Sequence, residues 1–312
     1  RNCREIIIPS DKFYCPFTAT RKRTYYRLML PEFDLELPEN LDLALAQLSK
    51  GDALPLAGGT SLLVDLRAHR VASERLISLV NINQMRGIEA DEQRVRIGAS
   101  TTVSELLQSS VIQQLGPSLV DAARVFAGQM VRNCATVAGN IACGSPAADL
   151  VPPLLSLDAV VTLGSMTGSR DVALHEFFVG YKQNQRRADE LITDIWWPRP
   201  GVNFANQFRK LARRKGDAIT VTGVAVALQR KDGRCTKARI ALGAVAPVVL
   251  RAVEAEKMLE NQILTTDLIE MAAQTAVSAC DPIDDIRATA AYRRHTVHTL
   301  TRRLLKKAWV SL

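Results

Sequence analysis

Two stretches with almost no side chain interrupt an otherwise core-building chain and limit what it can fold into. Leu56 to Leu62 reads LAGGTSL, and Thr136 to Asp149 reads TVAGNIACGSPAAD, followed at once by the apolar run LVPPLLSLDAVVTL. In the first, the short apolar run ALPLA (53–57) predicts a buried strand, GGTS (58–61) a turn, and SLLVDLRAHR (61–70) a helix. A strand that runs through Gly-Gly into a helix start presents bare N–H groups, a ready anion site. The second stretch looks like neither a helix nor a buried strand, and it again offers small residues and backbone. Two such loops from separate subdomains can clamp a diphosphate between them, and Asp149 just beyond can accept hydrogen bonds from sugar hydroxyls. Neither loop has the G-x-G-x-x-G spacing of a Rossmann unit, and no Gly-Lys-Ser/Thr of a P-loop occurs in the chain. A nucleotide held here needs another fold.

Around these loops the periodicity predicts mixed elements. Helices are expected at 40–50, 102–109 (opening with the capping box Thr102-x-x-Glu105), 118–127 and 150–157. Strands are expected at 75–82, 94–100 and 159–163, with an edge strand from Asp189 to Trp197 closed by Pro198. From about residue 203 the pattern changes. Residues 219–230 and 235–246 alternate as strands on either side of the turn KDG (231–233), a hairpin signal, and helices follow at 252–260, 266–279 and 287–308. The layout is α+β.

The 312 residues carry a formal charge of +8, and its location decides what it means. Residues 1–28 hold seven Lys/Arg against Glu5 and Asp11, a net +5, leaving +3 for the rest. That lead-in has no hydrophobic periodicity and no secretory h-region. It is expected to be an upstream extension or poorly ordered arm, with the natural start at Met29. With the excess charge confined there and no DNA or RNA motif present, a nucleic-acid-binding role is the weakest alternative. No apolar run reaches the roughly 18–20 residues of a membrane span. The six cysteines are scattered without a C-x-x-C pair, which points to a reducing, cytoplasmic setting. Cys134 and Cys143, flanking the second loop, read as small apolar fillers. His295 and His298 lie one helical turn apart without further ligands nearby in sequence, so no metal site is expected.

Five motifs in order now point to a family: PLAGGTSLLVDLR (55–67), RIGAST (96–101), FAGQMVRNCATVAGNIACGSPAADLVPPLLSLDA (126–159), KLARRKGDAITV (210–221) and RATAAYRRH (287–295). From Met29 to Leu312 the chain resembles the FAD-binding medium subunit of molybdenum hydroxylases, of the xanthine and carbon monoxide dehydrogenase type. The resemblance implies a two-subdomain FAD-binding domain of the vanillyl-alcohol-oxidase-like (PCMH) type at 29–203, divided into 29–87 and 88–203. A C-terminal domain at 204–312, with an antiparallel sheet and helices, would follow it. It also implies noncovalent FAD, since no His or Cys stands at an obvious linkage position.

Carried over residue by residue, the first diphosphate loop is Leu56, Ala57, Gly58, Gly59, Thr60, Ser61 and Leu62. Thr136, Ala138, Gly139 and Asn140 match the second, in which Ala138 replaces the family's usual glycine. Phe126 corresponds to an aromatic beside the isoalloxazine ring and Asp149 to a carboxylate on the FAD hydroxyls. Ile192 corresponds to a flavin contact, and Lys210 to a basic residue near the cofactor, with the neighbouring Arg209 as the other register. Without the resemblance, Phe126 reads as core and the cluster Lys210, Arg213, Arg214, Lys215 as a solvated stretch. Beside a diphosphate, that cluster could instead supply compensating charge.

The resemblance further implies an electron-transfer oxidoreductase subunit with no catalytic acid or base of its own. Its partners would be a molybdopterin-binding large subunit and a 2Fe–2S small subunit; the acceptor, NAD+, oxygen, a quinone or another carrier, stays open. No insert for an iron–sulfur cluster is visible in this chain. A self-contained FAD-dependent oxidase acting on a small molecule is the main alternative; it would need a base over the flavin, and none stands out.

Overall fold

The structure, a computed structural model, describes residues 30–312; the basic arm expected at 1–28 and the start expected at Met29 lie outside the described residues. After strand β1 (Asp34–Glu36), Asn40 opens helix α1 (Leu41–Leu48) by accepting the Leu43 N–H at 2.9 Å, and Ala44, Leu45 and Leu48 turn inward. Strand β2 (Ala53–Leu56), helix α2 (Leu62–Arg67) and strand β3 (Arg75–Ser78) form a strand–helix–strand unit with both strands parallel. The sheet order is β1-β3-β2, all parallel. The middle strand is buried on both faces, which is why Leu76 and Ile77 sit side by side at 0% exposure.

A second sheet starts with β4 (Ile88–Ala90) and β5 (Arg94–Gly98). A run of short helices follows: α3 (Val103–Gln108), α4 (Ser110–Leu115), α5 (Pro117–Val125), α6 (Gln129–Cys134), α7 (Val137–Ala142) and α8 (Val151–Ser156). The capping box of Thr102 and Glu105 opens α3 as its spacing predicts. The chain returns through β6 (Val160–Ser165), β7 (Gly168–Ala173) and helix α9 (Leu174–Phe177), then the small ribbon of β8 (Phe178–Gly180) and β9 (Gln183–Asn184), and finally β10 (Leu191–Pro198). The order is β4-β5-β10-β6-β7.

Two expectations are corrected here. The strand ending at Pro198 is the central strand, not an edge; its Pro is the last paired residue, opposite Arg94, so the missing N–H falls where the ladder runs out. The second small-residue stretch is not an open loop. Thr136 caps a helical turn, accepting the Gly139 N–H at 3.0 Å, and α7 runs through Ala138, Gly139 and Ala142.

The last part of the chain folds as a four-stranded antiparallel sheet. Its strands are β11 (Phe204–Ala212), β12 (Thr220–Lys231), β13 (Arg234–Gly243) and β14 (Leu250–Arg251), in that order. β12 and β13 meet across Asp232-Gly233, as the turn signal predicts, whereas β11 is not evident from the sequence. Alternation sorts the two faces. Val224, Val226, Leu228, Ile240 and Leu242 join the core shared with α10 (Val253–Leu259), α11 (Thr266–Ser278) and α12 (Ala290–Val310). Ala225, Ala241 and Phe208 turn the other way into the core of the preceding sheets. Buried Asn206 stitches that seam by accepting the Ser118 N–H at 3.1 Å and donating to Ser156 Oγ at 3.0 Å.

Candidate functional site

A cavity of about 440 Å³ opens where β2 runs into α2 and α7 begins, a volume within the roughly 300–1,000 Å³ usual for small-molecule sites. Ala57 to Leu62 form one wall; Phe126, Thr136, Ala138, Gly139, Asn140 and Ile192 form others, with Leu79, Met85 and Val131 adding apolar surface. The two small-residue stretches, far apart in sequence, therefore share one cleft.

They do different work in it. The N–H groups of Gly58, Gly59, Thr60, Ser61 and Leu62 meet no backbone acceptor among the described residues, and the Ser61 side chain makes no cap bond. Such a run of free donors on a cavity wall suits phosphate oxygens. The second stretch has no such surplus. Val137 donates to Thr101 O (3.0 Å), Ala138 to Ala99 O (3.2 Å), Gly139 to Thr136 Oγ1 and Asn140 to Thr136 O (3.0 Å). It contributes shape, the Thr136 end and the Asn140 amide, whose Oδ1 accepts from the Leu150 N–H (3.1 Å). Ala138 is helical, so its β-carbon requires no special backbone.

The glycines are explained by the protein itself. A β-carbon on Gly58 would lie 1.8 Å from the carbonyl oxygen of Cys134, so the first loop is pressed directly against the end of α6. Gly59 has φ of +70°, in the left-handed region.

Phe126 is held by a corner rather than by a helix. It lies just past α5 in extended backbone, Ala127 follows at φ +35°, and Arg132 Nη1 donates to both of their carbonyls at 2.8 Å.

Leu56, Asp149 and Lys210 are not brought to the cavity wall. Leu56 ends β2, its carbonyl accepting from Leu79 N–H at 2.9 Å. Asp149 and Lys210 pair with each other at 2.6 Å, with side chains 9% and 5% exposed, and Thr220 Oγ1 donates to the other Asp149 oxygen at 2.5 Å. Burial pushes the Asp149 carboxyl above its usual range, against the opposing pull of Lys210. Lys210 Nζ also reaches Val125 O at 3.3 Å, one residue behind Phe126. Lys210 rather than Arg209 makes this contact, although both lie on β11.

Sequence reasoning missed Asp65, Ser100, Cys143, Asn184 and Arg186, all on the wall. Burial disfavours the Asp65 carboxylate, but bonds from Arg70 (2.6 Å) and Lys182 (3.3 Å) outweigh it and hold the group below its ordinary range. The Cys143 thiol lies within 3.1 Å of the Asn140 carbonyl, and burial pushes its pKa up, so it stays protonated. Cys143 thus lies on the cavity wall, where its chemistry is that of an inert thiol. His298 faces Glu270 at 2.9 Å on the helical layer of the last sheet, and His295 is exposed.

Comparison with known proteins decides the family. Residues 31–200 match the FAD binding domain in molybdopterin dehydrogenase, and residues 207–308 match the CO dehydrogenase flavoprotein C-terminal domain. The chain belongs to the FAD-binding medium subunits of the molybdenum hydroxylases. It is 32% identical to the carbon monoxide dehydrogenase medium chain of Hydrogenophaga pseudoflava, over 89% of this chain and 98% of that one. It is 30% identical to the xanthine dehydrogenase FAD-binding subunit of Escherichia coli O157:H7, over 81% and 87%. A solved structure of carbon monoxide dehydrogenase from Hydrogenophaga pseudoflava, 32% identical, superposes with a TM-score of 0.87 over 90% of this chain and 99% of that one. The fold of this oxidoreductase subunit is therefore the PCMH-type FAD-binding fold with its C-terminal α+β domain. Its cavity fits that assignment: free backbone donors at one wall suit a diphosphate, and apolar walls suit a ring. Among the described residues no helix is long and apolar enough to cross a membrane.

Proposed function

We propose that this subunit carries one noncovalent FAD in the cavity between Gly58–Leu62 and Thr136–Asn140. In this reading it passes electrons from the 2Fe–2S clusters of a small partner subunit to NAD+ or another acceptor. Substrate would be oxidised on a molybdopterin-containing large subunit, in the cytoplasm. FAD, when bound, supplies the redox chemistry. The chain's own residues bind and orient it: Gly58 to Leu62 offer backbone donors to the diphosphate, Phe126 and Ile192 bound an apolar slot, and the Asp149–Lys210 pair supports the Phe126 corner from behind.

The observation that carries this reading is how the cavity's acidic and thiol groups are held. Asp65 is bonded to Arg70 (2.6 Å) and Lys182 (3.3 Å), and Cys143 lies against the Asn140 carbonyl (3.1 Å) with burial raising its pKa, so neither is placed to act as a base toward a small substrate. That favours an electron-transfer subunit over a self-contained oxidase. Medium subunits named for carbon monoxide and for xanthine dehydrogenases resemble this chain almost equally, which supports placing substrate choice in another subunit.

The test is purification of the chain from its native source and again alone. Copurification with two further subunits containing molybdenum and iron, together with an isolated flavoprotein that oxidises neither aldehydes nor N-heterocycles, is the expected result. Turnover of such a compound by the isolated chain would favour the oxidase alternative.

A further inference from the structure

One cation on the cavity wall, Arg186, makes no ion pair among the described residues. Arg186 follows β9, and its backbone is fixed from two sides: its N–H donates to Asn184 Oδ1 (3.1 Å), while Asn184 Nδ2 donates to Ala142 O at the end of α7 (3.1 Å). Its Nη1 is used within the turn, on the carbonyls of Arg187 (2.9 Å) and Glu190 (2.7 Å). Nε and Nη2 have no such partner among the described residues. The nearby acids are engaged elsewhere: Glu190 with Arg170 (2.7 Å) and Arg187 (3.1 Å), Asp189 with Arg187 (3.5 Å). A guanidinium on a ligand cavity, anchored by one nitrogen and with its other edge without a partner among the described residues, is preorganised for an anion.

We propose that Arg186 is a ligand-binding residue of this cavity, directing its free Nε/Nη2 edge to the phosphate oxygens of the bound dinucleotide. The inference rests on the FAD reading and adds to it a side-chain charge that the backbone loop lacks. Burial lowers the guanidinium's pKa from its ordinary value, with Glu190 and Asp189 opposing only at a distance. Arginine nonetheless stays charged near neutrality, so an incoming anion would repay part of that desolvation. The same geometry makes Arg186 a discriminator: FAD carries the anion and riboflavin does not.

The experiment uses the full chain freed of flavin and titrated with FAD and with riboflavin by fluorescence quenching, at two salt concentrations. Arg186→Leu should weaken FAD about ten- to a hundred-fold, the loss of a charge-assisted hydrogen bond, leave riboflavin affinity unchanged, and flatten the salt dependence of FAD binding. Arg186→Lys should recover part of the loss. The Nη1 bonds hold the turn, so a purely structural role would lower both affinities together. That result, or unchanged FAD binding in Arg186→Leu, overturns the assignment while leaving the FAD reading intact. A wild-type chain that binds neither flavin overturns both.

Discussion

Gly58 and Cys134 touch backbone to backbone: a β-carbon on Gly58 would fall 1.8 Å from the Cys134 carbonyl oxygen and 3.1 Å from the Ala135 nitrogen. Seventy-six residues of chain are thereby closed at the point where both small-residue stretches meet the cavity. The glycine is required by this approach, which holds the free donors of Gly58 to Leu62 opposite Thr136.

Gly58→Ala should therefore be worse than Gly59→Ala. The first forces backbone apart, and overpacking of that kind costs about 1–3 kcal/mol or more; FAD affinity should fall with it. The second meets only side chains, Leu63 at 2.9 Å and Leu56 at 3.5 Å, and adds the penalty of a left-handed residue, about 1–2 kcal/mol. Thermal unfolding with and without FAD ranks them; the reverse order would show that the Gly58 contact is not what closes the cleft.

The Asp149–Lys210 pair makes the next prediction. Lys210→Met strands a buried carboxylate and should destabilise the chain by about 3–5 kcal/mol, measured by urea unfolding. Asp149→Leu combined with Lys210→Met should be milder than Lys210→Met alone, because no charge is left without a partner. A Lys210→Met protein as stable as wild type would remove the pair from the account.

Much of this was legible beforehand, for physical reasons. The β12–β13 hairpin follows from alternation around Asp232-Gly233, and the capping box of Thr102 announces α3. The first small-residue loop is recognisable as a turn because two glycines stand between an apolar strand and a helix start. The second misleads, since a helix built from Val-Ala-Gly-Asn-Ile-Ala has no amphipathic stripe, and Gly139 three residues after Thr136 leaves no capping box to mark the cap. Pro198 suggested an edge strand because sequence does not show which end of a ladder a proline occupies. Arg186 was hidden by its neighbour: Arg-Arg in a polar stretch reads as solvated charge, and only the β8–β9 ribbon turns one of the two onto the cavity. The resemblance gives Asp149 and Lys210 separate contacts to the cofactor, whereas their mutual pairing joins residues 61 positions apart.

Asp285 gives a pH prediction. The Arg287 side chain, backbone N–H groups of Arg287 (2.8 Å) and Ala288 (3.2 Å), and Arg293 Nη2 (2.9 Å) hold its carboxyl well below the usual range, against a weaker opposing effect of burial. A lowered folded-state pKa stabilises above the unfolded value, about 4, and that contribution is lost as pH falls through the folded value. Asp285→Asn should unfold more easily than wild type at pH 7, and the gap should close progressively below about pH 4. A gap independent of pH would mean that the contribution is packing, not charge.

The flavin content of the purified full chain tests the central claim most directly. The expected result is a yellow protein whose single FAD per chain is released intact by denaturation, without a link to Cys143, and is taken up again stoichiometrically by the refolded chain. A colourless protein that cannot be reconstituted with FAD would contradict it.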